Sequence, residues 1–289
     1  MHARVVATTA AAVLGTAALL SPGSDARAGV VREPTVIAHR GASAYAPENT
    51  LASIDKAARL GFSWVENDVQ RTKDGELVVI HDDSLQRTTN AEQVFPGRAP
   101  WKVKDFTAAE IARLDAGSWY SPAYAGTRVP TLKQYMRRIE HNHEKLLLEI
   151  KNPQLYPGIE QQTLKLLGNE GWLDQKHLKR LVVQSFSVDS IRTVHQLKPA
   201  ITTGYLGSPT AAQLHQYARF TDLVNPSYAS LSTAYVTAVH AMDGPHGRPL
   251  RVFAWTVNDA STACKVAGYG VDGIITNKPD VVRAALGAH

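Results

Sequence analysis

Short apolar segments of strand length recur along this chain, and this recurrence limits the folds that it can adopt more than any other feature. Eight of them are expected to be strands, and amphipathic stretches with helical spacing, such as residues 50–60 and 158–167, separate most of them. Eight alternating strands and helices close into a parallel barrel, and 289 residues suit one such barrel. We therefore predict an α/β fold, a TIM (β/α)8 barrel. The expected strands or their apolar cores are residues 35–38, 66–72, 146–148, 181–183, 202–206, 222–225, 252–254 and 272–276.

Polar side chains follow four of these apolar segments directly. In a TIM barrel the active site is built at the carboxyl ends of the strands, so residues in these positions are candidates for a catalytic rim. The four polar ends are His39-Arg40, Glu149-Ile150-Lys151, Gln184-Ser185-Phe186 and Trp255-Thr256-Val257-Asn258.

An Asp-Gly pair at residues 74–75 predicts a tight hairpin between two strands. Asp-Gly supplies the positive φ angles that a two-residue type I′ turn requires. Counting back along both arms from such a turn places Asp68 opposite His81, with Glu66 on the same face of the ladder. Asn67 then points to the opposite face, because side chains alternate along a strand. The hairpin is therefore expected to gather two carboxylates and an imidazole.

These groups are the parts that cleavage of a phosphodiester requires. The imidazoles of His39 and His81 can remove a proton from the attacking oxygen and deliver one to the departing alkoxide. The carboxylates of Glu66 and Asp68 can bind a metal ion, and Arg40 can form two hydrogen bonds with a phosphate. The sequence therefore indicates phosphodiester chemistry.

A series of motifs in fixed order covers almost all of the chain after residue 34. No single motif is specific, but their order and spacing together are, and on them the chain resembles the glycerophosphodiester phosphodiesterase family, in particular its secreted bacterial members. Asn67 departs from the family pattern, which usually has an apolar residue there. Because position 67 faces away from the expected site, we predict a local packing adjustment and no loss of activity. The motifs are Ile37-Ala38-His39-Arg40-Gly41, Pro47-Glu48-Asn49-Thr50, Glu66-Asn67-Asp68-Val69-Gln70, Thr72-Lys73-Asp74-Gly75, Val79-Ile80-His81-Asp82, Leu85 with Arg87-Thr88-Thr89, Leu148-Glu149-Ile150-Lys151, Gln184-Ser185-Phe186, Trp255-Thr256-Val257-Asn258 and Gly273-Ile274-Ile275-Thr276-Asn277.

The resemblance implies that Glu66, Asp68 and Glu149 hold one divalent cation. It also implies that His39 and His81 act as general acid and base. Carboxylate oxygens suit a hard cation such as Ca²⁺ or Mg²⁺, and three protein ligands leave coordination positions for phosphate oxygens and water. Two alternatives stay open at this point: the nucleophile is water or a neighbouring glycerol hydroxyl, and either histidine can be the one that starts protonated.

Four further residues are expected to contact the substrate: Arg40, Lys151, Phe186 and Trp255. Arg40 can form a bidentate contact with phosphate, and Lys151 adds a compact positive charge. The resemblance supports an apolar wall at Trp255. Phe186 either joins that wall or packs in the core.

The stretch at about 83–130 is too long for an ordinary connection between a strand and a helix. It is rich in Pro, Gly, Trp and Tyr, and Thr107 with Glu110 predicts a capping box for a short helix through Asp115. We interpret it as a small inserted subdomain at the catalytic face that shapes the substrate entrance. A passive cover over one end of the barrel is the alternative. The barrel domain as a whole is expected to span residues 35–287.

Residues 1–28 have the pattern of a signal peptide. Arg4 precedes a stretch rich in Ala, Val and Leu, and Ala26-Arg27-Ala28 is a small-x-small cleavage pattern. We expect cleavage after Ala28 and an exported, secreted enzyme without a stable membrane anchor; an uncleaved anchor is the alternative. The single cysteine, Cys264, excludes an internal disulfide.

Charge and composition limit the expected partners. The chain has 31 Lys and Arg against 26 Asp and Glu, and no basic stripe interleaved with aromatics, so we expect no nucleic acid partner. The expected partner is a small glycerophosphodiester or a lysophospholipid, and no obligate protein partner is evident. The predicted reaction gives glycerol phosphate and an alcohol. The alternatives are a lysophospholipase D, a phosphodiesterase that degrades teichoic acid, and a non-catalytic binder of phosphorylated ligands; the binder predicts an incomplete constellation, whereas this one is complete.

Overall fold

Strands and helices alternate through the part of the chain that a computed structural model describes, residues 1–3 and 33–287. The cleavage site expected after Ala28 lies outside the described residues. Within them no helix combines the length and apolarity that crossing a membrane requires. The strands are β1 (Thr35–Ala38), β2 (Trp64–Arg71), β3 (Leu77–Val79), β4 (Lys145–Ile150), β5 (Leu181–Ser185), β6 (Thr202–Leu206), β7 (Leu223–Asn225), β8 (Arg251–Ala254) and β9 (Gly273–Thr276). The α-helices are α1 (Leu51–Arg59), α2 (Ala91–Val94), α3 (Ala108–Ile111), α4 (Leu132–His141), α5 (Ile159–Asn169), α6 (Gln175–Leu178), α7 (Val188–Leu197), α8 (Leu214–Tyr217), α9 (Thr233–His240), α10 (Ala260–Gly268) and α11 (Pro279–Leu286).

Eight of the strands form a closed parallel barrel, which confirms the predicted fold. Their order around the barrel is β1, β9, β8, β7, β6, β5, β4, β2, and the pairing of Ala38 with Val65 closes the ring between β1 and β2. Strand β3 lies outside the ring and pairs with β2 in the antiparallel sense. Each of the eight segments that the sequence predicted overlaps one of the barrel strands, and no bound of those segments extends past its strand by more than one residue.

Side chains alternate between the barrel interior and the surrounding helices, as expected for strands buried on both faces. The outer faces of β2 and β4 pack on helices α1 and α4, where Met136 and Ile54 belong to the same buried cluster as Val65 and Val69. A second, inner cluster fills the barrel beneath its carboxyl end. The inner cluster consists of Ile37, Leu147, Val182, Leu223, Phe253 and Ile275.

The hairpin between β2 and β3 differs from the prediction by one residue. Its turn has three residues between Thr72 and Glu76, and only Gly75 has a positive φ, of 92°, whereas a type I′ turn needs two such residues. The Thr72 hydroxyl accepts a hydrogen bond from the Glu76 N–H at 2.9 Å and thereby stabilises the longer turn. The predicted register was therefore wrong: Asp68 lies opposite Ile80, whose N–H donates to the Asp68 carbonyl at 2.9 Å.

The position of His81 is set by the side chain of Gln70 and not by pairing between β2 and β3. Strand β3 ends at Val79, and the amide group of buried Gln70 then contacts three successive carbonyl oxygens, those of Ile80, His81 and Asp82, at 3.0, 3.0 and 2.6 Å. These contacts hold the chain as it leaves the strand. His81 thus reaches the rim beside the β2 carboxylates even though the predicted pairing does not form.

Residues 83–130 connect β3 to α4 and contribute no barrel strand. Thr107 and Glu110 form the capping box that the sequence predicted, but α3 ends at Ile111 and does not continue to Asp115. The segment has its own apolar cluster, which packs against two residues of the β2–β3 hairpin region, Val78 and Ile80. The members contributed by the segment are Leu85, Ala91, Val103, Phe106, Ile111, Leu114, Ala116 and Val129.

Candidate active site

A cavity of about 90 Å³ opens at the carboxyl end of the barrel, where the polar strand ends meet. Eight of the nine residues that the sequence analysis selected line it. Asp68, the ninth, is 1 % exposed and contacts two of the lining cations, Arg40 (Nε to Oδ2, 3.4 Å) and Lys151 (Nζ to Oδ1, 3.6 Å). The eight lining residues from the prediction are His39, Arg40, Glu66, His81, Glu149, Lys151, Phe186 and Trp255, and the others are Gln184, Leu206, Thr256 and Ile275.

Three buried carboxylates converge in the wall of this cavity. The register between β2 and β4 places Asp68 beside Glu149, and Glu66 lies two residues before Asp68 on the same inner face. Each residue can offer one carboxylate oxygen such that the three oxygens lie within 4.8 Å of one another. Lys151 contacts Glu149, with 2.9 Å between Nζ and Oε1. The parallel register therefore builds the acidic triad that the resemblance implied.

The protein alone does not stabilise all three carboxylates of this triad in their ionised form. Burial, reinforced by the neighbouring carboxylates, raises the pKa of Glu66 and of Glu149. Burial acts in the same direction on Asp68, but Arg40 and Lys151 outweigh it and hold the pKa of Asp68 low, at about 2. In addition, Oδ1 of Asp68 is buried without a hydrogen-bond partner among the described residues. A hard cation fits this set of oxygen donors. Its positive charge would stabilise the ionised carboxylates, and Oδ1 of Asp68 could coordinate it.

A sharp turn after β1 brings Arg40 over the triad. Arg40 and Gly41 both have positive φ, 55° and 78°, and a Cβ atom at Gly41 would lie 2.4 Å from the Ser53 hydroxyl oxygen, so only glycine fits there. The turn directs the Arg40 backbone N–H at Glu66, where it donates to Oε2 at 2.9 Å. The tightness of this turn therefore fixes both the backbone and the side chain of Arg40 at the site.

The two histidines have different hydrogen-bond partners. Nδ1 of His39 donates to the amide oxygen of Asn277 at 2.6 Å, which leaves Nε2 on the cavity side, 3.9 Å from Glu66 Oε2. Burial, assisted by the charge of Arg40, lowers the pKa of His39 to about 4. Nδ1 of His81, by contrast, lies 2.6 Å from a carboxylate oxygen of Asp82. The hydrogen bond to Asn277 sets the tautomer of His39, and the contact with Asp82 orients the His81 ring.

Two aromatic side chains form one side of the cavity mouth. Phe186 is 49 % exposed and meets Trp255 edge to face, with 5.5 Å between the ring centroids. The Trp255 indole N–H donates to the Asn225 carbonyl at 2.7 Å, which fixes the ring. The exposure of Phe186 argues against the alternative that it packs in the core.

Sequence reasoning assigned no role to several residues that hold the site together. Asn277 bonds to His39, Asp82 bonds to His81, and the Asn49 amide donates to Asp68 Oδ2 at 2.8 Å. Asn277 follows directly after β9, so the rule that strand ends carry functional side chains could have selected it. Asn49 has a φ of 59°, in the left-handed region that asparagine tolerates better than most residues, and nothing in the sequence indicates its partner.

Comparisons with known proteins agree with this geometry. The model of the glycerophosphoryl diester phosphodiesterase family matches residues 39–281. A glycerophosphodiester phosphodiesterase of Bacillus subtilis is 36% identical over 282 residues, which are 91% of this chain and 91% of that protein. One of Caldanaerobacter subterraneus subsp. tengcongensis is 35% identical over 255 residues, 86% of this chain and 95% of that protein.

A similar solved structure is that of an Oleispira antarctica phosphodiesterase in complex with the product sn-glycerol-3-phosphate. It has a TM-score of 0.76 and 31% sequence identity, and the alignment covers 88% of this chain and 97% of that chain. The family match, the relatives and the fold agree with one another. The chain therefore belongs to the glycerophosphoryl diester phosphodiesterase family and is a phosphoric diester hydrolase of that family.

Proposed function

We propose that this enzyme hydrolyses glycerophosphodiesters to sn-glycerol 3-phosphate and an alcohol in a reaction that depends on one divalent cation. The observation that carries the proposal is the buried triad of Glu66, Asp68 and Glu149 between two histidines with unlike partners. The relatives named glycerophosphodiester phosphodiesterase, and the product seen in the Oleispira antarctica structure, support this substrate class.

The triad would hold the cation, with Ca²⁺ and Mg²⁺ as the candidates that its oxygen donors favour. When bound, the cation supplies positive charge for the transferred phosphoryl group. Arg40 and Lys151, on either side of Asp68, add two further positive charges at the same place. Arg40 can bind two phosphate oxygens through its planar guanidinium, and Lys151 acts as a compact charge.

The partners of the histidines divide the proton transfers between them. His39, which donates its Nδ1 proton to Asn277, presents an unprotonated Nε2 to the cavity and acts as the general base toward the attacking oxygen. His81, paired with Asp82, acts as the general acid that protonates the departing alkoxide. The proton that His39 removes from the attacking oxygen is thus matched by the proton that His81 delivers to the departing alkoxide.

Exposed aromatic side chains favour a second candidate substrate. Phe186 is 49 % exposed and Trp119, in the segment 83–130, is 40 % exposed. We infer that this segment shapes the substrate entrance, where exposed aromatic side chains would suit the acyl chain of a lysophospholipid. A lysophospholipase D activity is therefore the alternative to the glycerophosphodiesterase.

Substrate competition tests these assignments. Purified enzyme is offered glycerophosphocholine and lysophosphatidylcholine side by side with Ca²⁺, Mg²⁺ or chelator, and choline release is measured. Release from the first substrate that requires the cation supports the proposal. Preference for the second substrate supports the lysophospholipase D, and absence of turnover on both, followed by release of glycerol phosphate from teichoic acid, would move the substrate to that polymer.

We also propose that the enzyme is exported and that its signal peptide is removed after Ala28. The support is the sequence pattern of residues 1–28 alone, and residues 4–32 are outside the described part of the chain. Amino-terminal sequencing of the protein recovered from the medium of expressing cells tests it. A first residue of Gly29 is the expected result, and a protein retained in the cells with Met1 would contradict it.

A further inference from the structure

Arg87 lies outside the cavity, and its guanidinium binds two carboxylates at once. Its Nε and Nη2 contact Asp82 Oδ2 and Oδ1 at 2.6 and 3.0 Å. Its Nη1 and Nη2 contact Glu48 Oε2 and Oε1 at 2.9 and 2.8 Å. Both contacts are bidentate, an arrangement that the planar guanidinium allows and that the ammonium of lysine does not.

Each of these two carboxylates also holds a side chain that lines the catalytic cavity. Asp82 Oδ1 accepts a hydrogen bond from His81 Nδ1 at 2.6 Å. Glu48 Oε1 accepts one from Arg40 Nη1 at 2.9 Å. Arg87 is therefore the shared partner of two branches, one of which ends at His81 and the other at Arg40.

The charges explain why both branches need Arg87. Hydrogen bonds from His81 and Arg87 lower the pKa of Asp82, and on Glu48 the hydrogen bonds and charges of Arg87 and Arg40 outweigh the effect of burial, so its pKa is lowered as well. Both side chains are thus anions. Without the Arg87 guanidinium, the carboxylates of Asp82 and Glu48 would repel each other. Asp82 could then move away from His81, and Glu48 from Arg40.

We propose that Arg87 is a positioning residue that fixes His81, through Asp82, and Arg40, through Glu48, in the arrangement that the reaction requires. This inference rests on the function proposed above for the site. It assigns a role to Arg87 of the motif Arg87-Thr88-Thr89, none of whose residues lines the catalytic cavity.

A purely structural role, in which Arg87 fastens the segment 83–130 to the barrel, is less well supported. The segment has other attachments to the barrel. The Tyr120 and Tyr124 hydroxyls donate to the carbonyls of Ala44 and Tyr45 at 2.6 and 2.9 Å, and the segment's apolar cluster packs against the hairpin. Removal of Arg87 leaves all of these in place.

Arg98 provides a matched control. It is an arginine of the same segment that pairs with Glu110 and donates to the Asp105 carbonyl at 2.6 Å, and it is 35% exposed against 44% for Arg87. Arg87→Ala is expected to lower kcat/KM by about 10- to 100-fold, the usual effect of losing an outer partner of a catalytic group, and Arg98→Ala by less than about twofold. Guanidinium ion added to the solution is expected to restore activity to Arg87→Ala and not to Arg98→Ala, because the partly exposed site admits it.

A double-variant enzyme distinguishes the positioning role of Arg87 from a role in attaching the segment 83–130 to the barrel. In an enzyme that already carries Asp82→Asn and Glu48→Gln, both branches are interrupted, and Arg87→Ala is expected to lower kcat/KM by less than about twofold further. A loss as large in this background as in the wild type would overturn the proposal, as would an equal loss in Arg87→Ala and Arg98→Ala.

A measurement without turnover keeps this test separate from that of the proposed function. The ¹H–¹⁵N signals of the His81 imidazole, identified by their absence in His81→Gln, are expected to shift in Arg87→Ala and to stay in place in Arg98→Ala. Unchanged signals in Arg87→Ala would contradict the positioning role. An enzyme without activity on any phosphodiester would instead refute the proposed function, and the imidazole signals would still decide the role of Arg87.

Discussion

Strand β2 carries buried polar side chains on both of its faces: Glu66 and Asp68 on the inner face have charged partners, whereas Asn67 on the outer face has no hydrogen-bond partner among the described residues. On the inner face Glu66 and Asp68, each 1 % exposed, contact Arg40 and lie beside Glu149 in an arrangement of oxygens that suits a cation. On the outer face Asn67 is 0 % exposed among apolar side chains, and neither of its polar atoms has a hydrogen-bond partner among the described residues.

The difference shows what an incompletely satisfied buried group can mean. On both faces such a group destabilises the fold, by about 1–3 kcal/mol for a neutral one. On the inner face a bound cation can offset this cost and bring activity with it. On the outer face no described residue offers compensation, so the cost of Asn67 remains. We therefore expect changes on the inner face to affect activity and changes on the outer face to affect stability.

The largest expected effect follows from Glu66→Gln, which keeps the shape of the side chain and removes its charge. Because a catalytic metal ion typically contributes several kcal/mol to stabilising a transition state, the proposed cation site predicts that kcat falls by about 10⁴-fold. Thermal unfolding without metal should shift little or upward, because the charged form of Glu66 is disfavoured by burial. Steady-state kinetics and calorimetric melting check this, and activity near that of the wild type would remove Glu66 from the site.

The next effect concerns the two histidines. His39→Ala and His81→Ala should each lower kcat by about 10³-fold, the middle of the usual range for general acid–base catalysis. Both variants should still bind the cation, because neither histidine belongs to the triad. Kinetics combined with calorimetric metal titration tests this, and a histidine whose loss leaves kcat unchanged has no part in proton transfer.

A smaller effect should appear when cation binding is measured against pH. Glu149, with its pKa raised to about 8 by burial and by Asp68, carries a proton at neutral pH when no cation is present. Binding must displace this proton, so affinity should rise by about tenfold per pH unit per proton displaced between pH 6 and 8, and level off above. Titration calorimetry in buffers of different ionisation enthalpy measures both quantities, and an affinity that is constant from pH 6 to 9 would contradict the account.

The smallest effect on activity, with a measurable one on stability, is expected at Asn67. Asn67→Leu replaces an unpartnered amide by an apolar side chain of similar volume and should raise the free energy of unfolding by about 1–3 kcal/mol. Because the side chain faces the helices, kcat should stay within about twofold of the wild type. Denaturant unfolding and kinetics test this together; a destabilised variant would show that Asn67 has a partner in solution.

The barrel, and the meeting of strand-end side chains at one rim, could be predicted from local patterns, whereas the assignment of Glu149 as a cation ligand came from the resemblance to the family. Apolar segments with polar ends are visible in the sequence, and in a parallel barrel all such ends meet at one rim, so His39 and Glu149 could be placed together without knowledge of the structure. The register of the hairpin could not be predicted, because the Thr72 hydroxyl favours a longer turn that Asp-Gly alone does not indicate.

Partners distant in sequence were also beyond prediction. Asn277 bonds to His39 across 238 positions, and Arg87 bonds to Glu48 across 39 positions. Only the closed ring and the packing of the segment 83–130 bring these side chains together. Strand patterns carry information about which residues reach the rim, but not about which of them share a hydrogen bond.

Whether the inner face of β2 forms a cation site required for hydrolysis is tested most directly by the release of sn-glycerol 3-phosphate from glycerophosphocholine before and after removal of divalent cations. We predict that chelator abolishes the release and that Ca²⁺ or Mg²⁺ added in excess restores it. Release at the full rate in the presence of chelator would contradict this prediction.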